Sequence, residues 1–286
     1  AFFALYANID DFENSKNKIN IEERPEIDRW ILSELNSLIN KVSEFFENYE
    51  PTKAARSIQE FVLDNLSNWY VRLCRRRFWK GEFGKDKLSA YQTLYECLEA
   101  VSILSSPIAP FFMDNLYLDL NKNNCTSVHL TKFPEADNSI INLDLEKQMR
   151  LAQDITSMVL SLRKKEQIRV RQPLQKIMIP ILNEDDKSKI VRVKKLILSE
   201  VNVKEIEFIT EDSGILIKKI KPNFKSLGPK YGKYINQISN SLNNFKPEEI
   251  TAFELAGFSE IKLENKIIKL EISDVEIYSE DIPGWT

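Results

Sequence analysis

Apolar residues recur at helical spacing through the first half of the chain. Between residues 27 and 120 they return every three or four positions, and helix-start and helix-stop signals separate the runs. The pattern predicts four helices, at residues 27–48, 51–80, 85–104 and 111–120. Prolines at the start of the second helix and before the fourth mark the breaks. Successive amphipathic helices of this kind are typical of a helical bundle.

The spacing changes in the second half. Residues 143–167 form one more long amphipathic pattern, with Leu151, Ile155, Met158 and Leu162 in register. Beyond it come short, β-branched, often alternating runs that predict strands: KIMIPIL, VKEIEFI, GILIKKI, EIKLE, KIIKLEI and VEIYSE. Helical stretches at 186–199, 231–244 and 247–256 lie between them. This half is predicted to be a small α+β domain.

These patterns predict a multidomain chain, an α-helical bundle followed by a small α+β domain. The predicted divisions are 1–142 for the bundle, 143–175 for a long helix and connector, and 176–286 for the α+β part. With 286 residues, of which 43% are hydrophobic, the chain has enough apolar material for one large core or two modest ones.

The distribution of charge along the chain indicates a partner with a phosphate backbone. The net charge is −3, yet residues 51–90 carry nine Lys/Arg against four Asp/Glu, and residues 163–233 carry eighteen against nine. Two basic surfaces on an otherwise acidic body are the footprint of a protein that binds a phosphate backbone. Solvated basic faces without a ligand are the alternative.

Cysteine and histidine usage argues against several classes of site. The three cysteines, Cys74, Cys97 and Cys125, form no C-x-x-C pair, and the single histidine, His129, lies among apolar residues without ligand-like neighbours. We therefore expect no metal site, no disulfide framework and a structural role for His129. No apolar run reaches membrane-spanning length, and the first residues lack the pattern of a signal peptide, so a cytoplasmic protein without membrane contact is predicted.

The segment NWYVRLCRRRFWKGEFG, residues 68–84, carries the most specific chemistry. On a regular helix Leu66, Trp69 and Leu73 continue in phase into Arg76 and Lys80. A neighbouring stripe holds Asn68, Arg72, Arg75 and Trp79. Arginine binds phosphates bidentately and an exposed aromatic ring stacks on an unpaired base, so single-stranded RNA suits such a face. The candidate phosphate or base contacts are Arg72, Arg75, Arg76 and Lys80, with Trp79 as the stacking residue.

A structural interpretation of the same segment stays open. Trp69 and Phe78 could belong to the core, and some arginines, Arg77 among them, could pair with acids. The candidate acid partners of these arginines are Glu44, Glu47 and Asp64.

A second group of candidates lies in the other basic region. Arg169 and Arg171 stand near a helix-to-strand junction, where they either touch phosphates or are solvated. GPKYGK, residues 228–233, lacks the spacing of a nucleotide-binding phosphate loop and is predicted to be a turn leading into a helix whose start approaches RNA. Lys225, Lys230 and Lys233 are the candidates there, with a plain structural turn as the alternative.

Several motifs together carry a family resemblance. DRWILSEL, NWYVRLCRRRFWKGE and SPIAPFFMDNLY resemble the anticodon-binding helical domain of class I aminoacyl-tRNA synthetases. Within that class, NWYVR-x-x-RRRFW is similar to the isoleucyl enzymes rather than to the valyl or leucyl ones. SVHLTKFP, LRKKEQIRVRQPL and PNFKSLGPKYGK resemble the segments that follow the bundle, so the resemblance spans essentially the whole chain, in order.

The resemblance implies a role in binding. It implies that the bundle holds the anticodon stem-loop of isoleucine tRNA, and that the catalytic and editing domains of a longer parent chain are the other partners. In that family ATP and Mg serve the catalytic domain, whose His-Ile-Gly-His and Lys-Met-Ser-Lys-Ser motifs are missing here. We therefore expect no catalytic residue, cofactor site or metal site in this chain. The alternatives are a scaffold module without RNA recognition and the equivalent region of a valyl enzyme.

Overall fold

The chain divides into two compact units. The structure is a computed structural model that describes residues 2–14, 17–80, 82–121, 126–181, 184–209, 218–263 and 266–279. Its units are Ala1–Ile155 and Thr156–Thr286, and each is described by itself below. The division falls inside one long helix, Leu143–Lys165. No helix among the described residues combines the length and the apolar character that crossing a bilayer requires.

The first unit is built from helices. In chain order they are α1 (Phe2–Ile9), α2 (Glu26–Glu47), α3 (Pro51–Glu60), a π-helical segment (Phe61–Val71), α4 (Arg72–Trp79), α5 (Lys85–Ser105), α6 (Pro110–Leu120) and α7 (Leu143–Lys165), which continues into the second unit.

Helix α2 is the centre of the first core. It buries one broad face that includes Trp30, Leu35 and Val42 and packs against α3, the π-helical segment and α5. A short turn containing Tyr49, which adopts a positive φ of 56°, reverses the chain between α2 and α3. The three segments from Pro51 to Trp79 therefore run back along α2.

The predicted helix 51–80 is a continuous helical stretch, but it is not regular. Its buried residues step by four and three up to Phe61, and then by five to Leu66, before the four-residue step resumes through Tyr70 and Cys74 to Phe78. A π turn closes i→i+5 hydrogen bonds and so takes up one extra residue. The expected stripe through Leu73, Arg76 and Lys80 was therefore wrong, because this extra residue rotates the following helix.

The second unit begins with a parallel βαβ arrangement. β1 (Leu174–Pro180) pairs with β2 (Val203–Ile209), and α8 (Glu184–Val201) makes the crossover that a parallel pair needs. α8 buries Ile190, Val193 and Ile197.

The rest of the second unit has its own apolar core. Its elements are β3 (Lys218–Pro222), α9 (Phe224–Tyr231), α10 (Ile235–Asn243), α11 (Pro247–Ala256), β4 (Phe258–Leu263), β5 (Lys266–Glu271) and β6 (Val275–Ser279). β3 pairs with β6 and β4 with β5, both antiparallel. Leu227, Ile238, Leu242 and Phe253 are among the buried residues between these helices and strands.

A mostly helical part followed by a part with small sheets is therefore confirmed, while the predicted bundle arrangement and domain limits stay predictions. The GILI portion of the predicted strand at 214–220 lies outside the described residues. The turn predicted from Gly228 is wrong, because helix α9 runs through it to Tyr231. The Asn223 side chain caps α9 by accepting from the Lys225 backbone N–H, and the burial of Leu227 holds this helix on the core.

Candidate nucleic-acid interface

Helix α4 and Lys80, the extended residue that follows it, carry all the primary candidates. Arg72, Arg75, Arg76 and Trp79 follow the i, i+3, i+4, i+7 spacing of a helix face, and these four residues and Lys80 are exposed. The Trp79 side chain is 54% exposed, which is unusual for tryptophan. We call these five residues the α4 face. Its members therefore form one surface in which cationic groups surround an accessible aromatic ring.

The opposite side of α4 belongs to the core. Cys74 and Phe78 are buried there, and Arg77 is partly buried beside them. The two terminal guanidinium nitrogens of Arg77 donate to the two carboxylate oxygens of Asp28 over 2.6 Å and 2.8 Å. Its Nε donates to Asp86 over 3.0 Å. Arg77 is therefore a structural residue, and Asp28 and Asp86 are its partners.

Glu44 and Glu47 are two of the candidate arginine partners. They lie near the C-terminal end of α2, whereas Asp28 lies in its first turn. Because the chain reverses at Tyr49, these two acids come next to α3 rather than to α4. Asp64, the third acid considered, is exposed within the π-helical segment. None of the three is the acid that Arg77 pairs with.

Asp28 organises the junction of four helical segments. Its side chain is fully buried and also accepts hydrogen bonds from the Tyr70 hydroxyl, over 2.9 Å, and the Ser89 hydroxyl, over 2.6 Å. Burial lowers the pKa of the Arg77 guanidinium, but the hydrogen bonds and charge of Asp28 outweigh burial and raise it, so the guanidinium stays charged. These bonds join α2, α5 and the π-helical segment to the inner side of α4. They therefore determine which way the α4 face points.

Asp28 is a functional residue that the sequence patterns above did not single out, although its position carries a signal. An aspartate in the first turn of α2 lies in phase with the buried apolar residues Leu32, Leu35, Ile39 and Val42. A carboxylate on a core-facing stripe requires a buried partner. Together with the RRR run, this would have indicated a buried aspartate–arginine pair.

Two guanidinium groups of the α4 face rest on aromatic rings. The Arg72 guanidinium lies 5.6 Å from the centroid of the buried Trp69 ring, and its Nε donates to the Asn68 carbonyl over 2.8 Å. The Arg75 guanidinium lies 5.9 Å from the Phe2 ring centroid. Such contacts restrict the rotamers of long side chains, so less conformational entropy is lost when a ligand binds.

The remaining candidates belong to the second unit. Arg169 and Arg171 are exposed in the segment between α7 and β1. The buried Arg163 holds this segment by donating to the backbone carbonyls of Arg169, Gln172 and Asn202.

The lysines of the GPKYGK region have different surroundings. Lys225 is exposed near the start of α9. Lys230 donates to the buried Asp274 over 2.8 Å, and this hydrogen bond raises the pKa of Lys230. The Lys233 side chain lies outside the described residues. Lys230 therefore has a structural partner, and contact of any of these residues with RNA stays a prediction.

The described residues offer no place for a metal ion. They contain no group of three or more His, Cys, Asp or Glu side chains that could ligate one. Burial raises the pKa of the Cys74 thiol to about 12, which keeps it protonated and unreactive. His129 is exposed in a short 3₁₀ turn, Val128–Leu130, and its structural role stays a prediction.

The chain is similar in sequence to a known protein family and to several curated proteins. The family described as the anticodon-binding domain of tRNA ligase matches residues 28–178. An isoleucine–tRNA ligase of Bacteroides fragilis is 54% identical over 289 residues, which cover 100% of this chain and 25% of that protein. The corresponding ligase of Cytophaga hutchinsonii is 52% identical, over 100% of the chain and 26% of the relative.

A relative with lower sequence identity is also an isoleucine–tRNA ligase. The isoleucine–tRNA ligase of Thermus thermophilus is 35% identical over 100% of this chain and 28% of its own length. The chain thus spans about a quarter of the length of the curated relatives it matches. Because the family match covers more than half of the chain and includes both the α4 face and the buried Asp28 behind it, the chain belongs to the family of anticodon-binding domains of tRNA ligases.

Proposed function

We propose that this chain is the tRNA-binding part of an isoleucine–tRNA ligase and that the α4 face contacts the anticodon arm of isoleucine tRNA. The observation that supports the proposal is that one arginine of α4 is paired in the interior while the other cations are exposed. Arg77 is held inside by Asp28, whereas Arg72, Arg75, Arg76 and Lys80 are exposed around Trp79. Guanidinium groups supply bidentate phosphate contacts, and the tryptophan ring offers a surface on which an unpaired base stacks.

The chemistry of the complete enzyme belongs to the rest of a longer protein. Isoleucine activation with ATP and Mg would take place in catalytic and editing domains of the same parent chain, which are the other proposed partners. The described residues here do not fit a metal-ion site, so no step is assigned to them. The chain's own contribution is to bind and orient the tRNA, in the cytoplasm.

The basic residues of the second unit are secondary contacts in this proposal. Arg169, Arg171 and Lys225 are exposed cations that suit phosphate oxygens. Lys230 and Lys233 complete the predicted set. Their contribution would be to affinity and salt dependence rather than to the choice of tRNA.

The test is binding of the 286-residue chain to isoleucine tRNA over a salt series. An isoleucine tRNA with changed anticodon bases and a valine tRNA serve as competitors. The Arg75→Ala/Trp79→Ala double variant should weaken binding at least ~10-fold and reduce the salt slope by about 1, because it removes one cation from the phosphate backbone. The matched control is Arg192→Ala, an exposed arginine on α8 that should change binding little.

The outcomes separate the competing functions. Selective, salt-sensitive binding that the double variant loses supports anticodon recognition by the α4 face. Equal binding to all three RNAs, or none, would support the scaffold alternative. A preference for valine tRNA would overturn the assignment to isoleucine.

A further inference from the structure

A cleft of about 320 Å³, with several charged side chains among its lining residues, lies in the first unit, apart from the α4 face. α2, α3, the π-helical segment and the first part of α7 form it, and Glu34, Asn65 and Glu146 lie among its lining residues. The volume is in the range of small-ligand sites. Asn65 precedes Arg76 by eleven helical residues, so the cleft and the α4 face are about 16 Å apart along the helix, within reach of one RNA molecule.

The hydrogen bonds of the cleft end on two carboxylates. Gln153 donates to the Asn65 side-chain oxygen over 3.3 Å, and the Asn65 amide donates to Glu34 over 3.2 Å. Glu34 also accepts from the Trp30 indole N–H over 3.2 Å. Each carboxylate oxygen has two lone pairs, so Glu34 retains acceptor capacity after both bonds. Donors of the protein are thus aimed at this carboxylate before any ligand arrives.

The second carboxylate is arranged in the same way. The hydroxyls of Ser33 and Ser37 both donate to the Oε1 atom of Glu146. Burial, together with the negative charge of Glu146, raises the pKa of Glu34 to about 7. The charged form of Glu34 is thus disfavoured in the cleft, and a ligand that brings N–H groups to this carboxylate would stabilise it.

Three cations and one further acid surround the two carboxylates. Lys41, Lys147, Arg150 and Glu60 line the cleft and are exposed, and Arg150 pairs with Asp154 over 3.4 Å. A ligand that fits both features presents N–H donors at one end and negative charge at the other. A nucleotide has this distribution, and guanine offers two adjacent N–H donors that match the two oxygens of one carboxylate.

We propose that the cleft binds one unpaired, amino-bearing base of the bound RNA, with Glu34 and Glu146 accepting from its N–H groups and Lys41, Lys147 and Arg150 contacting the adjoining phosphates. This proposal rests on the proposed function, since it adds a base-specific pocket to the same RNA complex. It assigns affinity to the α4 face and discrimination between bases to the cleft.

The test uses the 286-residue chain and stem-loop RNAs with the anticodon arm of isoleucine tRNA. Each amino-bearing loop base is replaced in turn by its analogue without the amino group: inosine for guanosine, purine riboside for adenosine and zebularine for cytidine. At one loop position the replacement should weaken binding about 10-fold. The Glu34→Gln variant should bind the unmodified RNA more weakly and show no further loss with that analogue, because the hydrogen bond is already gone.

A second readout is independent of Glu34. Arg150→Ala and Lys147→Ala should each lower the salt slope of binding by about 1, because each variant neutralises one phosphate fewer than the unchanged chain. Thermal unfolding of each variant establishes that it is folded.

Each outcome decides between the two proposals. If RNA binds and Arg75→Ala weakens it, while no loop position is coupled to Glu34, the cleft proposal is overturned and the proposed function stands. A loss in Glu34→Gln that is equal for every RNA also overturns the cleft proposal, because it indicates a general structural effect. If the unchanged chain binds none of these RNAs, both proposals are wrong.

Discussion

Neighbouring arginines of α4 differ completely in their surroundings. Arg76 is exposed, whereas Arg77 donates to the fully buried Asp28 and to Asp86. A charge can be removed from water only when its partner compensates the lost hydration. Asp28 supplies that compensation for Arg77, so one arginine supports the helix while the others stay on the surface.

At the residue scale, removing Asp28 should destabilise the first unit strongly. Asp28→Ala leaves the Arg77 guanidinium without its buried partner, which costs about 3–5 kcal/mol of unfolding free energy. Urea denaturation followed by circular dichroism measures this. The control is Asp86→Ala, which removes an acid with a side chain 63% exposed and should cost less than about 1 kcal/mol. Similar losses in both variants would show that the buried pair is not the important one.

Glu34 makes the stability of the first unit pH-dependent. Burial raises its pKa from the ordinary value of 4.5 to about 7, the negative charges of Glu146 and Glu60 add to this, and Arg150 opposes it. The folded chain therefore binds more protons than the unfolded chain between these pH values, and the unfolding free energy falls as pH rises through that window. Glu34→Gln should remove this fall and be more stable at pH 8, by up to about 3 kcal/mol.

The measurement is the unfolding free energy from pH 4 to 8. Glu44→Gln, on the same helix but outside the cleft, is the matched control and should keep the shape of the profile. A profile that is unchanged in Glu34→Gln would contradict the assignment.

At the scale of elements, the π-helical segment sets the rotation of α4. The buried residues step by five between Phe61 and Leu66, which places Cys74 and Phe78 inside and the α4 face outside. In an unbroken α-helix the buried stripe would have reached Arg76 and Lys80. The π turn thus keeps those two cations out of the core.

A deletion tests this role. Removing the exposed Leu63 takes the extra residue out of the π-helical segment, and the buried steps become three and four throughout. The variant should therefore fold, keep Arg77 on Asp28, and lose less than about 2 kcal/mol of unfolding free energy. The comparison is deletion of Ala100 from α5, which would rotate the buried Val101 and Leu104 by about 100° and abolish cooperative unfolding. Equal damage from both deletions would contradict the interpretation.

For the whole molecule, each unit depends on its own apolar core. Leu242 is buried among Leu227, Ile238 and Phe253 in the second unit, whereas Ile39 belongs to the core of the first. Leu-to-Ala and Ile-to-Ala changes in such cores cost about 2–5 kcal/mol because a cavity remains.

Hydrogen exchange read by mass spectrometry follows the two cores separately. Leu242→Ala should speed the exchange of amides in α10 and β4, and Ile39→Ala should speed exchange in α2 and α5. The result that contradicts this is faster exchange only outside the unit that carries the substitution.

Local patterns in the sequence were sufficient for most elements and for the candidate surface. The period of apolar residues placed the long helices, and β-branched alternating runs placed strands such as 203–209. These features depend on neighbours a few positions apart, which a single sequence displays. The spacing of Arg72, Arg75, Arg76 and Trp79 likewise identified an exposed face, because it repeats within two helical turns.

By itself, then, the sequence determined the helical and mixed halves, the basic and aromatic character of the α4 face, and the family resemblance. Only the tertiary structure decided which arginine is buried, because that depends on one extra residue in a π turn and on Asp28, 49 positions before Arg77. It also decided that Lys230 pairs with Asp274 and that Glu34, Asn65 and Glu146 meet in one cleft. Burial and pairing between distant segments arise from packing, and no local pattern encodes them.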